Sequence, residues 1–142
     1  MKGLATLIKL SKRKLDELRR KLGSLEGQKA QLEEAIRRLS EELAREVEMA
    51  SKQPEMSGFF GGFAKRIQQR QEAMHQEIRK IEIEITKTRD EISEAFSEQK
   101  KYEIAQDNAK KRAAEEQNRK DTLALDEIAE QQHRRKTKEE NA

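Results

Sequence analysis

The sequence of 142 residues contains no cysteine, no tryptophan and a single proline, and its aromatic residues make up only 4% of the chain. Without cysteine, neither a disulfide framework nor thiolate chemistry is available, which suits a reducing compartment. No apolar run is long enough for a signal peptide or a membrane span. We therefore expect a soluble, cytoplasmic protein that does not insert directly into a membrane.

Charged side chains, in contrast, are abundant. They account for 42% of the residues, whereas hydrophobic residues account for 33%, which is too few to fill a compact globular core. Such a chain orders itself only if its apolar residues line up as a stripe between long helices. The periodicity of those residues therefore decides the fold class.

Two stretches of the chain carry a heptad pattern. In steps of three and four from Leu4 to Ala50, eleven of fourteen positions are apolar, and from Phe60 to Tyr102 ten of thirteen are apolar. This spacing is typical of helices that pack in a coiled coil. We call the two series together the seam. It fades beyond Tyr102, so the rest of the chain has no obvious partner in the sequence.

The stretch between the two series is unlike the rest of the chain. Residues 52–65 hold the only proline, three of the six glycines and three of the four phenylalanines. One uninterrupted helix would carry Pro54 at about 3 kcal/mol and each glycine at about 1 kcal/mol against helix propensity. A turn avoids these costs. The sequence thus predicts an all-α fold, a long antiparallel two-helix coiled-coil hairpin whose second helix overhangs at the C-terminus.

The predicted boundaries describe a single coiled-coil domain over residues 1–142: helix one at about 3–52, the turn at about 53–62, helix two at about 63–112, and a polar helical or frayed tail at about 113–142. Facing residues of an antiparallel pair have numbers with a constant sum, and pairing Ala50 with Phe60 sets that sum near 110. In this register Lys29 faces Ile81, so the lysine stem must cross the seam to reach water.

No group of residues is typical of an active site. His75 and His133 lie far apart without clustered ligands, which favours exposed helix-face positions over metal binding or catalysis. Gly58, Gly61 and Gly62 are not followed by the Lys-Ser/Thr of a phosphate-binding loop, and we interpret them as turn glycines. We expect no enzymatic activity, no cofactor and no metal.

Phe59, Phe60 and Phe63 allow two interpretations. All three rings close the end of the hairpin, as a hydrophobic staple does. Alternatively, one or two rings stay exposed and anchor a partner, because a narrow two-helix end has little room to bury three aromatic rings.

Positive charge is concentrated near the start of the chain. Residues 1–21 carry eight Lys or Arg against two acids, and Arg13, Arg19 and Arg20 belong to this excess. Three interpretations are open: a solvated helix face, docking on an acidic protein surface, or binding of nucleic acid. Since no nucleic-acid motif or stacking aromatic accompanies the charge, we favour the protein and expect no nucleic-acid partner.

Both ends of the chain resemble a known family. The segment GLATLIKLSKRKLDELRRKLG, from Gly3 to Gly23, resembles the first helix of the FliJ family of flagellar type III export, whose members open with a similar Leu-Ala-Thr-Leu run and reach a Leu-Gly pair at the same distance. The segment LDEIAEQQHRRK resembles that family's terminal segment, in which Asp-Glu, an apolar residue and Ala precede a closing basic pair. Here those places are Asp126, Glu127, Ile128, Ala129, Arg135 and Lys136.

Some positions in the middle of the chain also match the family. Leu39, Phe63 and Ile67 correspond to apolar places that family members carry near the end of the hairpin. The candidate protein-binding residues, from the sequence and from the resemblance together, are Leu39, Phe59, Phe60, Phe63, Ile67, Arg13, Arg19, Arg20, Asp126, Glu127, Arg135 and Lys136.

The resemblance implies a monomeric antiparallel coiled coil similar to the central stalk of rotary ATPases. In the family this stalk inserts into the hexameric flagellar export ATPase ring, promotes ring formation, links the ring to the export gate membrane protein and escorts export chaperones. It hydrolyses nothing itself. The implied location is the cytoplasm, peripherally associated with the inner membrane at the flagellar basal body.

Other functions remain open at this point. The nearest is the coiled-coil stalk of a virulence type III secretion system. A general coiled-coil scaffold or dimeric linker, and a nucleic-acid-binding helix hairpin, are the others.

Overall fold

The computed structural model describes the backbone of residues 2–141, and the side chains of this range except those of Lys2, Met56 and Ser57. Helix α1 spans Lys2–Lys52, a short 3-10 helix spans Pro54–Met56, and helix α2 spans Ser57–Glu140. The described range contains no strand. The predicted all-α two-helix hairpin is confirmed.

The chain divides into two compact units. The central unit is Lys12–Phe96, and the terminal unit combines the chain up to Ser11 with the chain from Ser97 onward. Both helices contribute residues to each unit. The prediction of a single domain is not tested by this division and stays a prediction.

The core of the central unit is a narrow row of aliphatic side chains drawn from the predicted seam. The buried apolar residues are Leu15 and Leu39 from α1, and Ile67, Ile78, Ile81, Ile85 and Ala95 from α2. Thr88 also stands in the seam and is completely buried, and its Oγ1 donates a hydrogen bond of 2.7 Å to the Glu84 carbonyl. That bond satisfies the hydroxyl within its own helix, so the threonine is tolerated among aliphatic neighbours.

Cross-helix contacts in the central unit confirm the predicted register. Three ion pairs join the helices: Lys21–Glu84 at 3.9 Å, Lys29–Glu82 at 3.4 Å and Glu26–Arg89 at 3.2 Å. Their residue numbers sum to 105, 111 and 115, on either side of 110. The helices are therefore antiparallel, and the pairs lie along the edges of the seam.

Two polar residues of the seam, Lys29 and Gln71, have polar partners that allow them to lie between the helices. Lys29 Nζ lies beside Glu82 on the other helix and Glu33 on its own, at the edge of the seam, as its long stem allows. The Gln71 amide Nε2 donates to Ser40 Oγ at 2.7 Å and to the Ile36 carbonyl at 3.0 Å. Gln71 thus links α2 to α1 by hydrogen bonds that form only when the two helices are in this register.

Among the described residues of the terminal unit, the fully buried side chains belong to the part of the seam near the start of α1. Ile8 and Ser11 on α1 are buried, and Tyr102 on α2 is half-buried, with its hydroxyl donating to the Glu98 carboxylate at 2.8 Å. From Lys110 to Asn141 every residue is exposed, while α2 continues to Glu140. The predicted overhang of the second helix is confirmed, and the tail is helical.

The predicted turn at 53–62 is too long. The chain leaves α1 after Lys52 and enters α2 at Ser57, so Gly58, Gly61 and Gly62 are helical, and no glycine in the described part of the chain has a positive φ. Proline alone suffices to end α1, because it has no amide hydrogen and restrains the residue before it. The interpretation of the three residues as turn glycines is wrong.

Replacing a seam isoleucine should destabilise the fold, whereas replacing an exposed one should not. Ile81 is 7% exposed and Ile83, two residues along the same helix, is 68% exposed. We expect Ile81→Ala to lower the free energy of unfolding by about 2–4 kcal/mol and Ile83→Ala to change it by less than about 0.5 kcal/mol. Urea unfolding followed by circular dichroism measures both; equal effects would contradict the buried seam.

Candidate partner-binding surfaces

A small cavity of about 210 Å³ lies in the central unit, where the two helices meet at the turn. We call it the tip cavity. Its lining residues are Glu46, Met49, Ala50 and Gln53 from the end of α1 and its exit, and Phe59, Phe60, Phe63 and Arg66 from the start of α2. The lining is mainly apolar, with one acidic and one basic side chain, a combination that suits an apolar group flanked by polar atoms.

The three phenylalanines are not equivalent. Phe60 and Phe63 are half-buried, whereas Phe59 is 75% exposed. Phe60 stands in the seam series, and Phe59 precedes it by one residue, a rotation of about 100° around the helix. One ring is therefore exposed, as the second interpretation expected, and the anchoring of a partner by this ring stays a prediction. Met49 is also exposed beside the same cavity, so the apolar surface continues onto α1.

Leu39 and Ile67, unlike the phenylalanines, lie in the buried core between the helices. Both are buried in the seam, at 6% and 3% exposure, so they support the helices below the tip cavity. Leu39 also lines one wall of a groove together with the Glu34 and Arg38 side chains. Direct partner contacts by Leu39 and Ile67 stay a prediction.

A charged cluster lies on the exposed face of α1 beside that groove. The Arg37 guanidinium donates to both carboxylate oxygens of Glu34, through Nε at 2.9 Å and through Nη2, and Nη1 donates to Glu41. Arg38 Nε lies 3.3 Å from Glu34. These hydrogen bonds, Arg37 foremost, lower the pKa of Glu34 to about 2. Glu34 is therefore fully ionised at any pH near neutrality.

Arg13, Arg19 and Arg20 are all exposed on α1 in the central unit. Close to them, Lys21 is engaged with Glu84 across the seam, so part of the local positive charge is compensated. The exposure of the three arginines is compatible with both a solvated face and an acidic protein partner. Their role in binding stays a prediction.

The C-terminal candidates lie on the unpartnered part of α2. Asp126, Glu127, Arg135 and Lys136 are exposed there. The same segment exposes three apolar side chains, Leu123, Leu125 and Ile128. Its charged and apolar groups are thus all available to a partner.

Ion pairs along this segment support the helix from its own side chains. Glu130 and Arg134, four residues apart, form an ion pair at 2.8 Å. Arg119 pairs at 2.8 Å with Glu116, three residues before it. Such pairs each contribute a few tenths of a kcal/mol to helix stability.

Sequence reasoning missed Glu46, Met49 and Arg66 as lining residues of the tip cavity. A signal for the first two was available. A sum of 110 places Met49 opposite Gly61 and Glu46 opposite Ala64, beside the phenylalanines. Both residues were therefore predictable from the register of the two helices.

Within the described residues, no group of three or more His, Cys, Asp or Glu side chains is placed to hold a metal ion. His75 and His133 are exposed. No helix of the described range has the length and apolar character required to cross a membrane.

Comparison with known proteins decides the family. The family model described as "Flagellar FliJ protein" matches residues 1–138. The chain belongs to the FliJ family. The resemblance found at both ends of the sequence is confirmed, and the chain is a flagellar export-related protein of a non-enzymatic family. No curated protein and no solved structure matches the chain.

In this FliJ family chain, removal of the exposed Phe59 ring should destabilise the fold less than removal of the half-buried Phe63 ring. We expect Phe63→Ala to lower the free energy of unfolding by about 1–2 kcal/mol, less than the 3–5 kcal/mol of a fully buried ring. Phe59→Ala should change it by less than about 0.5 kcal/mol. Denaturant unfolding of the two variants checks this, and a larger loss for Phe59→Ala would contradict the assigned packing.

The Glu34 carboxyl should titrate far below an ordinary glutamate. Its side-chain carbon, followed by NMR, is expected to give a pKa of about 2, and Arg37→Gln should raise that pKa toward 4.5. Because the folded pKa is depressed, the stability that Glu34 contributes is complete above about pH 4.5 and is lost as the pH falls toward 2. Arg45→Gln, on the same helix, serves as the control and should leave the titration unchanged.

Proposed function

We propose that the chain acts as a single-copy, non-enzymatic stalk and adaptor of the flagellar export apparatus. In this role it inserts into the hexameric export ATPase ring, couples the ring to the export gate membrane protein and escorts export chaperones. It works in the cytoplasm, held at the inner membrane through its partners. Membership of the FliJ family supports the flagellar setting.

The observation that carries the proposal is the unpartnered part of α2. From Lys110 to Asn141 every side chain is exposed, and at about 1.5 Å per residue this segment provides about 45 Å of single helix. A single helix is only about 10–12 Å wide, so it is suited to enter a channel that excludes a thicker element.

The side chains of this segment supply the contacts. Leu123, Leu125 and Ile128 provide exposed apolar surface, which a ring lining can desolvate. Asp126, Glu127, Arg135 and Lys136 surround them with charges of both signs. Polar contacts of this kind are individually weak, as a part that moves within its partner requires.

For the gate and the chaperones we propose the tip cavity with its exposed Phe59. An exposed aromatic ring beside an apolar cavity is a common anchor for a protein partner. The cavity lies in the central unit, whereas the unpartnered helix belongs to the terminal unit. The two surfaces use different residues, so one molecule has separate groups for the ring and for the adaptor contacts.

The family match favours the flagellar apparatus over a virulence type III secretion system. A general coiled-coil scaffold with no tie to export would use the same seam. Specific co-purification with the flagellar ATPase separates it from the proposed role.

Substitutions on the unpartnered helix should weaken ATPase binding without affecting the fold. We expect the double variant Leu125→Gln/Ile128→Gln, and truncation after Ala109, to reduce co-purification with the organism's flagellar ATPase at least tenfold, with and without nucleotide. Ile83→Gln is the matched control, because Ile83 is 68% exposed and Leu125 is 66% exposed. Unchanged ATPase binding by the truncated chain would overturn the proposal.

A further inference from the structure

The start of α2 contains glycines that its backbone conformation does not require. Gly58, Gly61 and Gly62 are half of the chain's six glycines, and all lie within the helix. None of them has a positive φ, so a residue with a side chain can adopt the same conformation. Glycine is nevertheless a poor helix former, because it loses more backbone freedom than any other residue on ordering.

Packing does not require these glycines either. A Cβ at Gly58 or Gly61 would meet nothing within 4 Å, and at Gly62 it would lie 3.7 Å from Arg66 Nη1, an ordinary contact. Alanine therefore fits at all three positions. A cluster of helix-weakening residues without a steric reason is a conflict between local sequence and local structure, and such conflicts concentrate at functional sites.

We propose that Gly58–Gly62 is a hinge at which the first turns of α2 unwind and release the lid of the tip cavity. This hinge lies at the very start of α2, which begins at Ser57 directly after the 3-10 helix Pro54–Met56. Ile67, at 3% exposure, is the first seam residue of α2 that is fully buried. Unwinding therefore stops before Ile67.

The lid consists of Phe60 and Phe63, which line the tip cavity from α2. Both are only half-buried, so their removal from the cavity exposes less apolar surface than the opening of a core position would. Opening would present the α1 side of the cavity, with Met49 and Ala50, to an apolar group of a partner. This consequence for binding rests on the proposed function, but the opening itself does not.

Amide hydrogen exchange on the isolated chain tests the hinge. The amides of Gly61 to Arg66 bond to the carbonyls of residues 57–62 in an α-helix, so they report the unwinding directly. In the unsubstituted chain they should exchange at least a hundredfold faster than the amides of Ile78 to Ile85 in the middle of the same helix. In Gly61→Ala/Gly62→Ala they should slow about 25-fold, or about fivefold per glycine.

The chain offers a matched control. Gly23 and Gly27 on α1 are also helical, exposed and surrounded by open space. Gly23→Ala/Gly27→Ala makes the same chemical change and should leave exchange at Gly61 to Arg66 unchanged. The hinge is overturned if those amides are as protected as those of Ile78 to Ile85, or if the two double variants slow them equally. Because no ATPase is present, a failure here is distinct from a failure of the proposed function.

Discussion

The narrow row of aliphatic side chains between the two helices is the constraint on which the rest of the structure depends. In the central unit it rests on leucine and isoleucine, with one buried alanine and one buried threonine. No layer lies behind this row, so each turn of helix contributes only a small amount of burial and the stability is spread along the helices. The register then has to be right along its whole length, and the polar contacts of Gln71 with Ile36 and Ser40 favour one register over a slipped one.

The surfaces suited to binding lie on parts of the helices that have few packed neighbours. At the turn, Phe60 and Phe63 are only half-buried and Phe59 is exposed, because too few neighbours remain to cover them. Beyond Ala109 on α2, no described residue is buried. Both surfaces therefore exist because the seam does not extend over the whole chain. No helix or strand beyond the two long helices is required to form them.

Much of the fold was predictable from spacing alone. The three-four repeat gave the two helices, and the pairing of Ala50 with Phe60 gave a register that the ion pairs reproduce. The turn was placed less well, because helix propensity does not show which of two neighbouring helix breakers ends the helix. Pro54 does so, and the glycines stay helical at about 1 kcal/mol each because Phe60, which lies among them, can then join the seam. The exposure of Phe59 and the cluster around Glu34 depend on side-chain directions, which the periodicity does not specify.

The helical state of the tail also has a physical cause. An isolated helix of about thirty polar residues is marginal in water, mainly because its first turn is costly to form. Here α2 is already formed where Tyr102 and Ala109 are half-buried, so the tail extends an existing helix and avoids that cost. Ion pairs such as Glu130–Arg134 then favour the helix locally. A partner that binds this segment meets an ordered helix, so the cost of ordering a flexible peptide is largely absent from the binding free energy.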